Sequence, residues 1–270
     1  MAPKISVLMG IYNCAASLPE AIDSILAQTY PNWELIMCDD GSCDDTYAVA
    51  EQYRQQYPEK IILIKNEHNL GLNKTLNRCL ERATGDYIAR MDGDDLSVPE
   101  RFEKEVAFLE AYPEYAIVSC PMIYFDENGE WGKGRCIPRP QPLRFLVGTP
   151  FCHAPCMIRA EAFRAVGGYS EDPRTLRAED YDLWFRMYAA GYRGANLPEH
   201  LYKMRDDENA YHRRKFQYSV KEAYVRWNGY RMLKLPWIGR IYAIRPILVG
   251  LLPKWLYLPL HRYKLKKYRG

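Results

Sequence analysis

Short apolar segments alternate with amphipathic segments over the first 95 residues of the chain. The apolar segments contain many β-branched residues and are bounded by Pro, Gly or Asp, which is typical of buried strands. We predict such strands at Lys4–Met9, Trp33–Cys38, Lys60–Ile64 and Asp86–Met91. The segments between them carry apolar residues on one helical face and predict helices after Ser17 and over Thr46–Tyr57 and Leu72–Arg82. This alternation predicts an α/β fold, with a mainly parallel, doubly wound sheet flanked by helices.

Two segments have the spacing of a capping box, in which a Ser side chain caps a helix and a Glu three residues later bonds back to it. They are Ser17–Glu20 and Ser97–Glu100, and each predicts the start of a helix. Farther along, the pattern becomes irregular. A strand is predicted at Ile117–Phe125, loops or short strands at Gly129–Pro150, and a helix at Glu179–Ala190.

Composition and charge divide the chain unequally. Of its 270 residues, 48% are apolar and 26% are charged, which is typical of a folded protein and excludes a disordered one. The net charge of +3 combines 37 basic with 34 acidic residues. Residues 231–270 contain ten of the Lys and Arg residues and no Asp or Glu, so 27 basic and 34 acidic residues, a net −7, remain in the first 230. The sequence therefore predicts an acidic body with a basic tail.

The basic tail is also apolar, and Lys254 is the only charged residue between Pro246 and Leu260. These 15 residues are fewer than the roughly 20 that a membrane-spanning helix needs. We therefore expect a helical tail that binds the inner surface of the cell membrane, with apolar groups at the acyl boundary and basic groups near anionic lipid. The alternatives are a helical subdomain packed on the body and a protein-binding surface. The acidic body argues against nucleic acid as a partner.

Eight cysteines are scattered along the chain, and the N-terminal Met-Ala-Pro-Lys lacks the basic and apolar regions of a signal segment. We expect reduced thiols in a cytoplasmic protein. The cluster Cys152-His153-Ala-Pro-Cys156 has no second pair of ligands at zinc spacing, so packing explains it better than structural zinc.

The strongest chemical signal is the acidic segment Asp92-Gly93-Asp94-Asp95, directly after the fourth predicted strand. Ligands of doubly wound sheets bind at the carboxyl ends of the strands. Carboxylates one residue apart can converge on a hard divalent cation such as Mg²⁺ or Mn²⁺, and Gly93 is expected to leave room for a bulky ligand. The alternative is an acidic turn before the next helix.

Two further groups of residues suit a nucleotide and a reacting hydroxyl. Asp39–Ser42 follows the second strand and Tyr12 follows the first, so a carboxylate and an aromatic ring are available to a base and ribose. Taken singly, each is better explained as a turn residue. Glu179-Asp180 starts a helix, whose dipole stabilises an ionised carboxylate and suits a general base. Helix capping is the alternative there, and Trp184 either belongs to the core or faces a sugar.

Several enzyme classes are disfavoured because their motifs are absent. The loop Gly10-Ile-Tyr-Asn13 after the first strand is neither the phosphate-binding loop of ATPases nor the Gly-x-Gly-x-x-Gly of dinucleotide-binding enzymes. It also lacks the Gly-rich, basic sequence that nucleotidyl transfer to sugar phosphates usually needs. The chain has no Gly-x-Ser-x-Gly elbow, which argues against a serine hydrolase.

Five segments, taken in order, resemble those of the family 2 glycosyltransferases of the GT-A fold, especially those of bacterial exopolysaccharide and capsule synthesis. They are residues 3–13, 28–46, 69–95, 151–169 and 178–192, and they include PKISVLMGIYN, MDGDD and AEDYDLWF. The resemblance covers most of residues 3–205. It implies that residues 1–100 are a nucleotide-sugar-binding half and residues 101–230 an acceptor-binding half of one domain. It further implies an inverting transfer from a UDP-sugar, dependent on Mn²⁺ or Mg²⁺, to a glycan or lipid-linked acceptor.

The resemblance also implies roles for residues on the donor side. The implied donor and metal contacts are Tyr12 stacking on the base, Asp39 contacting the base, Asp92 near the ribose or metal, and Asp94 ligating the metal. One segment departs from the family, because many relatives have Tyr-Arg-x-His where this chain has Tyr-Lys-Met-Arg at residues 202–205. A histidine contact to the metal or diphosphate is therefore missing, and we expect Arg205 or Lys203 to neutralise the diphosphate.

On the acceptor side, the resemblance implies that Asp180 is the general base and that Glu179 orients the acceptor. His153 falls in the loop that borders the acceptor site, and Trp184 is a second candidate there. The alternative function is that of a regulatory or scaffold protein with this fold and little or no catalysis. The acids at 39, 92, 94 and 180 argue against it, because a protein without catalysis has no chemical need for all four.

Overall fold

The computed structural model describes residues 2–206 and 216–251. Its strands are β1 (Ile5–Ile11), β2 (Trp33–Asp39), β3 (Ile61–Lys65), β4 (Tyr87–Arg90), β5 (Leu96–Ser97), β6 (Ile117–Ser119), β7 (Met122–Asp126), β8 (Gly129–Lys133), β9 (Met157–Arg159), β10 (Gly194–Asn196) and β11 (Tyr202–Arg205). Its α-helices are α1 (Leu18–Leu26), α2 (Thr46–Gln56), α3 (Leu72–Arg82), α4 (Arg101–Ala111), α5 (Ala160–Ala165), α6 (Glu179–Ala189), α7 (Phe216–Met232) and α8 (Arg245–Gly250). Two 3₁₀ helices cover Pro142–Leu146 and Trp237–Ile244.

A seven-stranded sheet forms the centre of the molecule, in the order β10-β6-β9-β4-β1-β2-β3. The strands from β1 to β4 are mutually parallel, and β9 runs antiparallel to both of its neighbours. Ile5 pairs with Trp33 on one side and with Tyr87 on the other, so β1, β2 and β4 end at the same edge. The predicted α/β fold with a mainly parallel sheet is confirmed, and the four strands predicted in the first 95 residues lie within two residues of the observed ends.

Apolar side chains cover both faces of this sheet, because successive residues of a strand point to opposite faces. Val7 of β1 joins a core with Ile22 of α1, whereas Leu8 joins a second core with Leu76 of α3. Helices therefore pack on both sides of β1. This double burial explains why β1 and β2 are apolar at nearly every position rather than alternating.

A four-stranded sheet in the order β5-β11-β7-β8 lies beside the acidic segment at 92–95. β5 follows that segment directly and pairs antiparallel with β11, with Leu96 opposite Lys203. β11 also pairs in parallel with β7. The small sheet thus holds the acidic segment next to residues 202–205.

The single strand predicted at Ile117–Phe125 is wrong. β6 ends at Ser119 in the seven-stranded sheet, whereas β7 begins at Met122 in the four-stranded sheet. Pro121 lies between them and has no backbone N–H to donate, so strand pairing stops there. The region predicted as loops or short strands, 129–150, contains β8 and a 3₁₀ helix, as that prediction allows.

Neither predicted capping box forms. Helix α1 begins after Ser17, but the Ser17 hydroxyl donates to the carbonyls of Cys14 and Gly93 and caps no helix N–H. Ser97 lies in β5 and accepts a hydrogen bond from Gln28 Nε2 at 3.1 Å, and α4 begins only at Arg101. In both cases a contact between distant segments replaces the local hydrogen bond that the spacing predicts.

The described part of the predicted tail packs on the body. Gly229 of α7 lies against the ring of Phe185 on α6, and a Cβ added at Gly229 would come within 2.2 Å of that ring. Leu235 and Ala243 are buried in the core that contains α6. Residues 252–270 of the predicted tail lie outside the described residues. Within residues 2–206 and 216–251, no helix has both the length and the apolarity to cross a membrane.

Candidate active site

The loops after β1 and β2 are joined by hydrogen bonds at the carboxyl edge of the sheet. Asn13 donates its backbone N–H to Ser42 Oγ at 3.0 Å, and its side-chain oxygen accepts the N–H of Cys43 at 2.8 Å. Asn13 has a φ of 47°, in the left-handed region that Asn tolerates better than most residues. Tyr12, immediately before it, is 47% exposed, so its ring is accessible for the base stacking that the sequence predicts.

Asp39, the predicted base contact, is buried beneath these loops. It is 0% exposed, and its carboxylate accepts the hydroxyl of Ser42. A base can reach this carboxylate only if Ser42 moves, so the contact stays a prediction. The neighbouring Asp40 accepts the N–H groups of Leu70 and Gly71 at 2.7 and 3.0 Å and fixes the turn before α3.

In the acidic turn after β4, the first carboxylate already has a cationic partner. Arg90 Nη2 lies 2.5 Å from Asp92 Oδ1, and the Asp92 side chain remains 26% exposed. Gly93 is buried against the protein, since an added Cβ would lie 3.0 Å from Cys14 Sγ and 3.2 Å from Ile11 Cγ2. The expectation that Gly93 leaves room for a ligand is therefore wrong. The glycine instead lets the turn pack on the end of β1.

Asp94 and Asp95 lie in different environments. Asp95 is buried and accepts the backbone N–H of Arg205 at 2.8 Å. Burial and then the charges of Asp92 and Asp94 raise the pKa of Asp95 well above its ordinary value. Asp94 is half-buried and lies near the end of β1, where its charge assists burial in raising the pKa of Cys14 to about 11. Asp94 is therefore less enclosed than Asp95, and its role as a metal ligand stays a prediction.

The two predicted diphosphate-binding cations have partners on the protein. Arg205 Nε donates to the backbone carbonyl of Asp94 at 3.0 Å, and its Nη2 lies 2.8 Å from a carboxylate oxygen of Glu20. Lys203 Nζ lies 2.8 Å from a carboxylate oxygen of Glu130 on β8. Arg205 thus stabilises the turn that carries Asp94, whereas Lys203 contacts β8 of the four-stranded sheet. Diphosphate binding by either cation stays a prediction.

Asp180, the predicted base, lies in the first turn of α6 and has a strongly perturbed pKa. Burial and then the adjacent charge of Glu179 raise the pKa of Asp180 to about 7, and the N–H of Tyr181 and the charge of Arg90 oppose that rise. Arg177, just before the helix, has a φ of 68°, and backbone strain of this kind clusters at functional sites. A carboxyl group that titrates near neutral pH suits proton transfer.

The buried guanidinium of Arg90 connects the acidic turn to α6. It pairs with Asp92, and its charge also acts on the pKa values of Asp180 and Tyr169. One buried cation therefore interacts electrostatically with carboxylates that are almost ninety residues apart in the chain. The site predicted from separate segments requires this convergence.

The predicted acceptor-side residues lie deeper than expected. His153 is half-buried, with its Nε2 2.7 Å from the hydroxyl oxygen of Tyr169, and burial lowers the pKa of His153 well below its ordinary value. Trp184 is 0% exposed and packs edge-on against Phe151. The prediction that Trp184 faces a sugar is wrong, because its side of α6 packs into the core. The acceptor-side role of His153 stays a prediction.

The chemistry of the acidic turn fits a divalent metal held together with a substrate. Across the described ranges 2–206 and 216–251, no three His, Cys, Asp or Glu side chains are grouped to hold a metal by themselves. Mg²⁺ bound with phosphates usually takes only one or two protein carboxylates. Asp94 and Asp92 match that donor set. All eight cysteines carry free thiols.

The sequence alone does not point to two residues around the site, Arg90 and Tyr169. Arg90 has a signal, because a charged residue that ends an apolar strand is buried and needs a partner. Tyr169 has no local signal, because its partner His153 lies 16 residues away along the chain.

The sequence matches two family models over most of its length. The one described as Glycosyl transferase family 2 covers residues 6–167, and the one described as Glycosyl transferase family group 2 covers residues 87–265. EpsE of Bacillus subtilis is 49% identical over 98% of this chain and 94% of its own. An Escherichia coli protein named UDP-Gal:alpha-D-GlcNAc-diphosphoundecaprenol beta-1,3-galactosyltransferase is 30% identical over 93% of this chain and 92% of its own.

The fold is similar to that of the mannosyltransferase PcManGT from Pyrobaculum calidifontis, solved in complex with GDP-Man and Mn²⁺. The TM-score is 0.65 at 19% identity, over 99% of this chain and 73% of that one. At this identity the likeness concerns the fold alone. It confirms the GT-A fold that the sequence resemblance implies.

Proposed function

This chain belongs to glycosyltransferase family 2 and is a glycosyltransferase, and we propose that it moves a hexosyl or N-acetylhexosaminyl group from a nucleotide sugar to a hydroxyl of a growing exopolysaccharide, with inversion. A UDP-sugar is the proposed donor. The support is that a relative 30% identical is named for UDP-Gal, whereas the GDP-Man complex belongs to a protein only 19% identical.

One observation carries the proposal: Arg90 pairs with Asp92, and the charge of the same guanidinium also acts on Asp180. An inverting transfer needs a donor site and a base on opposite sides of the anomeric carbon. The acceptor oxygen forms a bond to that carbon, the bond to the diphosphate oxygen breaks, and Asp180 takes the hydroxyl proton. Single displacement inverts the configuration without a covalent enzyme intermediate.

The donor side of the proposed site uses the edge formed by β1, β2 and β4. Tyr12 stacks on the base, and Asp39 contacts it once Ser42 moves. Asp94 and Asp92 would hold Mn²⁺ or Mg²⁺, which supplies Lewis-acid stabilisation of the leaving diphosphate when bound. The support for Asp94 as a ligand is that it is half-buried, whereas the neighbouring Asp95 is buried.

Two cationic side chains at this edge are candidates to neutralise the leaving diphosphate. Arg205 is held beside Asp94 by its bond to the Asp94 carbonyl, so its remaining charge is close to the proposed diphosphate. Lys203 is a weaker candidate because Glu130 already pairs with it. On the other side, Glu179 and His153 orient the acceptor around Asp180.

The proposed acceptor is a lipid-linked glycan, reached at the inner face of the cell membrane through residues 231–270. The relative named above acts, by its name, on a diphosphoundecaprenol-linked sugar. The exposed surface supports the same acceptor. In the described part of the tail, residues 231–251, six apolar residues are more than half exposed: Trp237, Ile238, Ile241, Tyr242, Leu248 and Leu251. Arg231, Lys234 and Arg245 are exposed among them, which suits anionic lipid.

The direct test is a screen of UDP-, GDP- and dTDP-sugars in which nucleoside diphosphate release and thermal stabilisation are both measured. We expect a UDP-sugar to raise the melting temperature and to release UDP with Mn²⁺ present, and both effects to disappear with a chelator. A GDP-sugar that acts alone would correct the donor. Release that is unchanged by the chelator would contradict the metal dependence.

A further inference from the structure

Arg90 is fixed in place by backbone hydrogen bonds on both sides. Its N–H donates to the Cys156 carbonyl at 3.1 Å, and its own carbonyl accepts Arg101 Nη2 at 3.1 Å. Arg101 is itself fully buried and paired with Glu105. The position of Arg90 at the end of β4 is therefore rigid, and its guanidinium starts from a defined point.

The side chain of Arg90 is unusually poor in partners for a buried cation. It is 7% exposed, and Asp92 is the carboxylate that pairs with it. Among the described residues, its buried Nε has no hydrogen-bond partner. Burying a charge with incomplete pairing costs several kcal/mol as a rule, so a solvated or apolar residue would be favoured here on stability alone. The buried charge therefore calls for a role beyond folding.

The groups that surround Arg90 come from four other parts of the fold. Its positive charge acts on Asp180 of α6, on Tyr169, on His153, and on Tyr202 of β11. His153 and Tyr169 are hydrogen-bonded to each other, and the His153 ring also packs edge-on against Trp184 on α6. Arg90 thus lies where the acidic turn, the 153–156 segment and the base helix meet.

We infer that Arg90 is a positioning residue of the active site: its guanidinium holds Asp92 on the donor side and sets the charge environment of Asp180 on the acceptor side. The inference rests on the proposed function, in which Asp180 is the base. One buried cation then interacts with both the donor side and the acceptor side of the site.

The charges near Asp180 predict the direction in which its pKa changes when one of them is removed. Glu179 beside it and Glu222 on α7 raise the pKa of Asp180, whereas Arg90 and the N–H of Tyr181 lower it. Neutral groups also lie near Asp180, because its charge contributes to the raised pKa values of Tyr169, Cys152 and Cys156. Removing Arg90 raises the pKa of Asp180, and removing Glu222 lowers it.

The test is a direct titration of Asp180 in the full-length protein, free of metal and nucleotide. Carboxyl ¹³C resonances of labelled aspartate are followed against pH, and Asp180 is assigned by the signal lost in Asp180→Asn. Arg90→Gln removes the charge while its amide can keep a hydrogen bond to Asp92. Arg90→Lys is the matched control that keeps the charge, and Glu222→Gln is the control of opposite sign.

We expect the Asp180 midpoint to rise by about one pH unit in Arg90→Gln, to stay near the wild-type value in Arg90→Lys, and to fall in Glu222→Gln. An unmoved midpoint in folded Arg90→Gln overturns the inference. If Arg90→Gln does not fold, Arg90→Met, which also removes the charge, decides: a rise of about one unit supports the inference, and an unmoved midpoint overturns it. Nucleotide plays no part in this titration, so its failure leaves the proposed transfer standing, and a failed donor screen leaves the titration standing.

Discussion

At the scale of single residues, the aspartates around the site have the same type of side chain but lie in different surroundings. Asp39 and Asp95 are buried and satisfied by neighbours, Asp94 is half-buried near the end of β1, and Asp180 titrates near neutral pH. The sequence could identify these acids from their positions after strands and at a helix start. The sequence could not show which of these acids are buried. Their burial depends on Ser42 and β11, which approach the acids only in the folded chain.

The proposed role of Asp94 as a metal ligand leads to a prediction for Asp94→Asn. Loss of the carboxylate removes a hard ligand, so the Mn²⁺-dependent affinity for UDP should fall by about tenfold to a hundredfold. Titration calorimetry of UDP with and without Mn²⁺ measures the change. Glu59→Gln is the matched control, because Glu59 is an exposed acid just before β3, at the opposite edge of the sheet. Equal affinity of Asp94→Asn and wild type in Mn²⁺ would remove Asp94 from the metal site.

At the scale of elements, periodicity located the strands and helices of the first 95 residues, because each carries its own apolar face. The misplaced elements depend on partners elsewhere. Ser97 enters a strand because β11 pairs beside it, and Pro121 divides one apolar run between two sheets. The sequence does not decide between core and site for Trp184 for the same reason, since only the packed sheet determines which side of α6 is buried.

The contact between α6 and α7 is the element-scale feature that we expect to be most sensitive to added volume. In Gly229→Ala the new Cβ meets the Phe185 ring, so the free energy of unfolding should fall by about 1–3 kcal/mol. Helix propensity alone predicts the opposite sign. Gly148→Ala is the control, because a Cβ there has nothing within 4 Å. Urea unfolding of the three proteins measures the difference, and a stabilised Gly229→Ala would contradict the close packing.

At the scale of the whole molecule, an acidic body carries a basic and apolar surface formed by residues 231–251. The charge division is legible in the sequence, since ten basic residues and no acids fall in the last forty. The sequence does not show how this surface packs on the body. Tyr230 donates to the carbonyl of Phe145 at 3.1 Å, and Phe145 packs on Phe185 of α6. Tyr230 of α7, directly before this surface, thus packs on the helix that carries Asp180.

Membrane binding is tested by flotation of the protein with vesicles. We expect Trp237→Ser combined with Ile241→Ser to reduce binding to vesicles that contain phosphatidylglycerol, because both side chains are exposed and apolar. Point variants are preferable to truncation, because Leu235 and Ala243 are buried and their loss would disturb the core. Ile137→Ser, an exposed apolar residue outside the surface, is the control. Equal flotation of all variants would contradict a lipid-facing surface.

The most direct test of the whole account compares Asp180→Asn with Asp182→Asn, a variant of the same helix whose carboxylate pairs with Arg186. Removal of a general base costs about 10²–10⁴ in rate, so Asp180→Asn should lose transfer while keeping donor affinity. In wild type the rate should rise with pH through about 7 as Asp180 loses its proton, and Asp182→Asn should keep that profile. Transfer by Asp180→Asn at the wild-type rate, with the same rise through neutral pH, would contradict the assignment of Asp180 as the base.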